Sequence, residues 1–288
     1  MGLSPVAAQH QRGSGCRGFV QAIPRDFQEV FMAEAKTAVA NKPAWVELST
    51  QDAAASRDFY SKLFGWKIEV NPDPQYGGYG MAKVSGYAGD VAGIGPKMSP
   101  ETPTAWSIYI GTADAAETTK KVEQAGGKVV MQPMEVPGQG TMAVFQDPSG
   151  AFISVWQPAN MGGFQQGKAN QFGWAELSAR GIDKAKPFYK KLFGWGEKKS
   201  PMGEGQPEYT EFLVGGESIA GAMEMNAMVP AEVPSYWLVY FNVDDVDKAT
   251  KKAVDLGAKQ LMEPQDFPGG RFSILTDPQG ASFGLLKQ

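Results

Sequence analysis

The stretch WVELSTQDAAASRDFYSKLFGW, residues 45–66, returns with few changes as WAELSARGIDKAKPFYKKLFGW at residues 174–195. Each copy opens with alternating side chains, typical of a half-buried β-strand, and continues with the apolar spacing of a helix. Further pairs follow in the same order at nearly constant spacing: VAGIGP with IAGAME, PTAW with PSYW, and FQDPSGAFISVW with LTDPQGASFGLL. Order and spacing together indicate duplication of a whole domain.

The length of 288 residues suits two domains of ordinary size. The duplication places the first at residues 43–157 and the second at residues 172–288. Between them, residues 158–171 are rich in Gly, Gln and Asn and are predicted to be a linker. Residues 1–42 have no counterpart in the repeat and are interpreted as a disordered leader, with Met32 as an alternative start.

Composition narrows the classes of function. The chain is 42% hydrophobic and 20% charged, with no uninterrupted apolar run long enough to span a membrane. Its net charge of −4 disfavours nucleic acid as a partner. The single His and single Cys, His10 and Cys16, both lie in the leader, so the folded part lacks disulfides, Cys or Ser–His nucleophiles, and His/Cys metal sites. We expect a cytoplasmic monomer in which the two domains form an internal pseudo-dimer.

Each domain is predicted to contain two units of a strand, a helix and further strands. The first helix is expected to begin after the N-cap Asp52 and to end at Gly65, and a second to end at Gly126. The inward residues are expected to be Ala55, Phe59 and Leu63 in the first helix and Ala116, Thr119 and Val122 in the second. The DPSG and DPQG segments are interpreted as structural hairpin turns. The aromatic pairs of the FY motifs, Phe59 with Tyr60 and Phe188 with Tyr189, are expected in the core.

Strand alternation predicts which side chains share a face. Val46 and Leu48 are expected under a helix, which leaves Trp45 and Glu47 on the opposite side. If each sheet curls, these opposite faces line two cups. The predicted linings are Trp45, Glu47, Ser107, Tyr109, Ser154 and Trp156 in the first domain and Trp174, Glu176, Leu238, Tyr240, Gly284 and Leu286 in the second. The second cup is the more apolar, so a polar ligand is expected to prefer the first.

The repeated WxELS, FYxKLFGW and DPxGA motifs resemble the vicinal oxygen chelate superfamily, which includes glyoxalase I, extradiol dioxygenases and bleomycin-resistance proteins. The resemblance covers about residues 43–288 and looks like a tandem-domain, glyoxalase-like subgroup. It implies an α+β fold in which each domain has two βαβββ modules curled into a half-barrel around a ligand cavity.

The resemblance also allows a test for the metal used by many members. Their ligand positions fall on Trp45, Ser107 and Ser154 in the first domain and on Trp174, Leu238 and Gly284 in the second. The remaining position lies near IAGAME, where only Glu224 offers a carboxylate. We therefore predict no metal and no other cofactor.

Two classes of function remain open. One is a metal-independent binder of a small molecule, with ligand contacts from the cup residues above. The other is a glyoxalase-like lyase or isomerase, or a hydroxylase, acting on a small carbonyl or aromatic compound. In that case Glu47 or Glu176 would be the general base, because a carboxylate beside Trp on a partly dry surface has a raised pKa. The alternative for both is a structural carboxylate satisfied by Ser, Tyr or backbone donors.

Overall fold

The computed structural model describes residues 40–159, 164–200, 208–226 and 229–288. The first domain consists of β1 (Pro43–Thr50), α1 (Ala53–Phe64), β2 (Lys67–Val70), a short 3-10 turn (Pro74–Tyr76), β3 (Gly80–Lys83), β4 (Ala92–Pro96), β5 (Ala105–Gly111), α2 (Ala115–Val122), β6 (Lys128–Val136), β7 (Gly140–Gln146) and β8 (Phe152–Pro158). The second consists of β9 (Phe172–Ala179), α3 (Ile182–Phe193), β10 (Gly196–Ser200), β11 (Tyr209–Val214), β12 (Glu217–Glu224), β13 (Tyr236–Asn242), α4 (Val246–Asp255), β14 (Lys259–Phe267), β15 (Gly270–Thr276) and β16 (Ser282–Lys287).

Each domain forms one eight-stranded mixed sheet built from two βαβββ modules. The order is β2-β3-β4-β1-β5-β8-β7-β6 in the first sheet and β10-β11-β12-β9-β13-β16-β15-β14 in the second. The first strands of the two modules, β1 and β5, lie antiparallel at the centre, and each has the last strand of its own module parallel beside it. The predicted fold class, α+β with two tandem domains of two βαβββ modules each, is confirmed.

The helix boundaries follow from capping residues. Asp52 accepts a hydrogen bond of 2.9 Å from the amide of Ala55, and Gly65 ends α1 at a φ of 69°. In α2, Ala116 is exposed, which corrects its predicted inward position, and the buried residues are Ala115, Thr118, Thr119 and Val122. Gly126 lies beyond the helix, in the turn that follows.

The core is continuous between the two domains. In β1, Val46 and Leu48 are fully buried, as alternation predicted. The aromatic residues of α1 extend this core into the second domain: the ring of Tyr60 lies 5.6 Å from that of Phe283, and Phe64 lies 5.1 Å from Phe241. The FY residues are therefore core residues that also join the domains.

The Trp of each FGW motif fixes the chain as it enters the other domain. Trp66 donates to the carbonyl of Asn170 and Trp195 to that of Asn41, both at 2.7 Å. Both asparagines have a φ of 62°. Ala40–Lys42, placed in the leader by the sequence analysis, pair with Gly111 of β5. The leader prediction otherwise lies outside the described residues.

Among the described residues, no helix has both the length and the apolar character needed to span a bilayer.

Candidate functional site

The concave faces of the two sheets carry the side chains that alternation assigned to them. We call these faces the first cup and the second cup, after the domain to which each belongs. In the first cup, a buried cluster is formed by Trp45, Tyr109, Met142 and Trp156. In the second cup, Leu238, Tyr240 and Leu286 form such a cluster, with Trp174 packed against them. Both clusters are separate from the continuous core on the other side of the sheets.

A carboxyl group held by tyrosines lies in the first cup. The hydroxyl of Tyr79 donates to Oε2 of Glu47 at 2.8 Å, and that of Tyr109 donates to Oε1 at 3.3 Å. The indole of Trp45 donates in turn to the Tyr79 oxygen at 3.0 Å. Burial raises the pKa of Glu47 above its usual range, and the two tyrosine hydrogen bonds oppose this shift.

The second cup repeats this arrangement. Trp174 donates to the oxygen of Tyr209 at 2.8 Å, and Tyr209 hydrogen-bonds Glu176. The hydroxyl of Tyr240 lies 3.4 Å from Oε1 of the same carboxyl group. Burial raises the pKa of Glu176 to about 7 against the opposing effect of these hydrogen bonds. At neutral pH this group is therefore present in both protonation states.

Sequence reasoning missed Tyr79 and Tyr209. Their signal was a further pair of the repeat, YGMAKV at 79–84 and YTEFLV at 209–214, which precedes the VAGIGP and IAGAME pair. VAGIGP and IAGAME share a glycine at their third position, Gly93 and Gly221, and this glycine makes room for the tyrosine ring. A Cβ atom on Gly93 would lie 1.7 Å from the Tyr79 oxygen, and one on Gly221 would lie 1.8 Å from the Tyr209 oxygen. Because Gly93 has no side chain, the Tyr79 ring can cross β4 to reach Glu47. In the same way, Gly221 lets the Tyr209 ring cross β12 to reach Glu176.

The other predicted cup residues also lie on the concave faces. Ser154 is buried and hydrogen-bonds Tyr109. Ser107 is partly exposed and pairs with Glu47 across β1 and β5. The indole nitrogen of Trp156 is buried with no hydrogen-bond partner. In the second cup, the ring of Tyr240 lies directly over Gly284, where a Cβ atom would be 2.0 Å away.

These residues do not form the metal site that the family resemblance implies. Trp, Ser, Leu and Gly at the inferred ligand positions provide no imidazole, thiolate or carboxylate. Glu224 is engaged elsewhere, because its carboxylate accepts 2.8 Å hydrogen bonds from the amides of Gly181 and Ile182 at the start of α3. Within the described ranges, no three His, Cys, Asp or Glu side chains are grouped closely enough to hold a metal ion.

Comparison with known proteins shows the family to which the chain belongs. The family model described as "Glyoxalase/Bleomycin resistance protein/Dioxygenase superfamily" matches residues 42–155 and 171–285. A relative from Streptomyces peucetius, "Anthracycline biosynthesis protein DnrV", is 38% identical over 262 residues, covering 85% of this chain and 92% of its own. "Putative glyoxylase CFP32" of Mycobacterium tuberculosis is 38% identical over 251 residues, covering 85% of this chain and 94% of its own.

Solved structures agree on the fold. The Mn(II)-bound glyoxalase from Novosphingobium aromaticivorans superposes with a TM-score of 0.59 at 17% identity, over 85% of this chain and 82% of that one. The 2,3-dioxygenase LapB from Pseudomonas sp. KL28 has the same TM-score at 12% identity, over 86% and 92% of the two chains. With two family matches, two tandem cups and relatives of matching length, the chain belongs to the glyoxalase/bleomycin resistance protein/dioxygenase superfamily.

Proposed function

We propose that the protein binds a small organic molecule in its concave cups without using a metal ion. The observation that carries this proposal is the tyrosine-held carboxyl group in each cup, at Glu47 and Glu176. It lies among Trp and Tyr rings, next to positions such as Trp45 and Ser107 that the family resemblance equates with metal ligands. Aromatic walls with a few convergent polar groups are the usual composition of a small-molecule site.

The chemistry of the carboxyl group fits an oxygen-bearing ligand. A carboxyl group with a raised pKa donates a hydrogen bond to a carbonyl when protonated and accepts one from a hydroxyl when ionised. The relatives' names, anthracycline biosynthesis and glyoxylase, are compatible with a small organic ligand.

A ligand screen by thermal shift, followed by calorimetry on the compounds that bind, tests this proposal. We expect Glu47→Gln to weaken binding about tenfold, which corresponds to about 1.4 kcal/mol. Glu135→Gln is the matched control, because Glu135 is exposed on β6. Equal affinities for wild type and Glu47→Gln, or no binding throughout a broad library of small carbonyl and aromatic compounds, would contradict the proposal.

A second candidate function is proton transfer in the second cup. It is favoured by the position of Glu176, which is held by the Tyr209 and Tyr240 hydroxyls in a buried setting that raises its pKa to about 7. A general base works best when its pKa lies near the working pH. The reaction class would be proton abstraction next to the carbonyl of a small substrate. The test is an assay with methylglyoxal and a thiol, in which Glu176→Gln should abolish turnover and Glu135→Gln should leave it unchanged.

We further propose that the protein is a monomer. Two of the four edge strands, β6 and β14, carry Pro133 and Pro264 and are irregular in register, features that oppose pairing with another chain. Light scattering on a sizing column tests this. A mass near 31.0 kDa supports the proposal, and twice that mass contradicts it.

A further inference from the structure

The rims of the two cups differ at one equivalent position on the central strands. Ala105 of β5 pairs with Ser49 of β1, and Tyr236 of β13 pairs with Ser178 of β9. Because side chains alternate along a strand, both residues face the cup, on the same side as Tyr109 and Tyr240 respectively. The first cup therefore has a methyl group where the second has a phenol ring.

In the second cup, the Tyr236 ring covers part of the buried cluster. It packs against the cluster that contains Leu238 and Tyr240, and its hydroxyl hydrogen-bonds the Ser178 side chain. It also interacts electrostatically with Glu176. Leu238, next to Glu176 on the neighbouring strand, is only 3% exposed.

The residues at the equivalent positions of the first cup are more exposed to solvent. Ser107 takes the place of Leu238 and is partly exposed. Phe152 takes the place of Ser282, and 54% of its surface is exposed although it shares the concave face with Ser154. The parallel register of β5 and β8, with Tyr109 opposite Ser154, places Phe152 next to Ser107, so an exposed aromatic ring lies beside a partly exposed hydroxyl on this face. Apolar rings with a few polar groups are what a small-molecule site needs.

We infer that the first cup binds a phenol-like ring at the position that the Tyr236 ring occupies in the second cup, and that Tyr236 closes the second cup to such ligands. This inference rests on the proposed binding function and names its ligand class. The ring would lie over Ser107 with its edge or face toward Phe152, an arrangement that aromatic pairs favour. Its hydroxyl would meet Ser49, the counterpart of Ser178, with Glu47 as the neighbouring acceptor.

Calorimetry with 4-methylphenol, the analogue of a tyrosine side chain, tests the inference through stoichiometry. We expect one site per chain in the wild type. Tyr236→Ala should open the second cup and give two sites. Ala105→Tyr should reduce binding at the first cup at least tenfold. Tyr87→Ala, at an exposed tyrosine, is the control and should leave one site.

Ala105→Tyr adds bulk and could fail to fold, so a second variant that adds no bulk tests the same site. Phe152→Ser copies Ser282 and should weaken 4-methylphenol binding at least tenfold, because it removes the ring contact. One site in Tyr236→Ala, or wild-type affinity in both Phe152→Ser and Ala105→Tyr, would overturn the inference.

Failure of the inference can be told apart from failure of the proposed function. If 4-methylphenol does not bind but another small molecule binds in a Glu47-dependent manner, the inference is wrong and the proposed function stands. If no small molecule binds, both are wrong.

Discussion

The hydroxyl of Tyr60 in the first domain donates a hydrogen bond of 3.0 Å to Oδ2 of Asp277 in the second. The reciprocal bond runs from Tyr189 to Asp147 at 2.7 Å. Each aspartate belongs to one of the DPxG turns, where its other oxygen accepts from turn amides. The turns are therefore structural, as predicted, and they also carry the polar contacts that join the two domains.

Replacing Tyr60 by Phe is expected to destabilise the protein by about 1–3 kcal/mol, the usual cost of leaving a buried acceptor without its donor. Trp106 also loses its acceptor, since its indole donates to the Tyr60 oxygen at 2.8 Å. The melting midpoint should fall by about 2–4 °C for each kcal/mol in a chain of roughly this size. Tyr87→Phe, at an exposed residue, should melt like the wild type. An unchanged midpoint in Tyr60→Phe would show that the contact contributes no stability.

Glu176 should make stability depend on pH. Its pKa rises from 4.5 to about 7 on folding, so between these values the folded chain holds a proton that the unfolded chain has released. The free energy of unfolding should therefore fall as the pH rises through this window, by about 3 kcal/mol at most at 1.36 kcal/mol per pKa unit. Glu176→Gln removes this contribution, so it should gain stability relative to wild type between pH 5 and pH 8.

Urea unfolding of wild type and Glu176→Gln, measured between pH 4 and pH 8, tests this prediction. Glu211 provides a control for which the pH dependence of stability has the opposite sign. Hydrogen bonds from Ser200 and Ser218 lower the pKa of Glu211. Its ionised form therefore stabilises the fold above the usual carboxyl pKa, and this contribution is lost as the pH falls below it. Glu211→Gln should lose stability relative to wild type at pH 8 and approach it near pH 4. Parallel curves for wild type and Glu176→Gln would contradict the raised pKa.

The repeat was enough to divide the chain into two domains, and strand alternation was enough to assign the side chains of each face, whereas the βαβββ arrangement came from the family resemblance of the motifs. Val46 and Glu47 could be assigned to opposite sides of β1 because the side-chain period of a strand is fixed. Tyr79 could not be placed on Glu47, because its ring crosses a strand and reaches its partner only over Gly93. The Tyr60–Asp277 bond was also beyond prediction, since it depends on how two separately predictable domains pack together.

The protein should contain no stoichiometric divalent metal. The inferred ligand positions hold residues such as Trp45 and Ser154, and Glu224 is engaged at the start of α3. Elemental analysis after dialysis and ligand binding measured with and without a chelator test this expectation. About one zinc, nickel or iron ion per chain, together with loss of binding on chelation, would show that other residues bind a metal.

Gly93→Ala should displace Tyr79 from Glu47. The added Cβ atom would lie 1.7 Å from the tyrosine oxygen and 2.4 Å from its Cζ atom, so the ring must move. Glu47 and the Trp45 indole then lose a partner, which should cost about 1–3 kcal/mol in urea unfolding. Since the Tyr79 hydrogen bond lowers the pKa of Glu47, its loss should raise that pKa further. The infrared carbonyl band of the protonated carboxyl group, assigned with Glu47→Gln, should then persist to higher pH.

Gly196→Ala is the matched control for this substitution, because it also adds a methyl group to a strand glycine. Its Cβ atom would meet the Leu213 side chain at 3.5 Å, an ordinary contact. It should change the free energy of unfolding by less than about 0.5 kcal/mol, as for surface positions in general. If Gly93→Ala is as stable as Gly196→Ala and its carbonyl band titrates as in the wild type, then the path of Tyr79 across Gly93 does not hold the Glu47 carboxyl group.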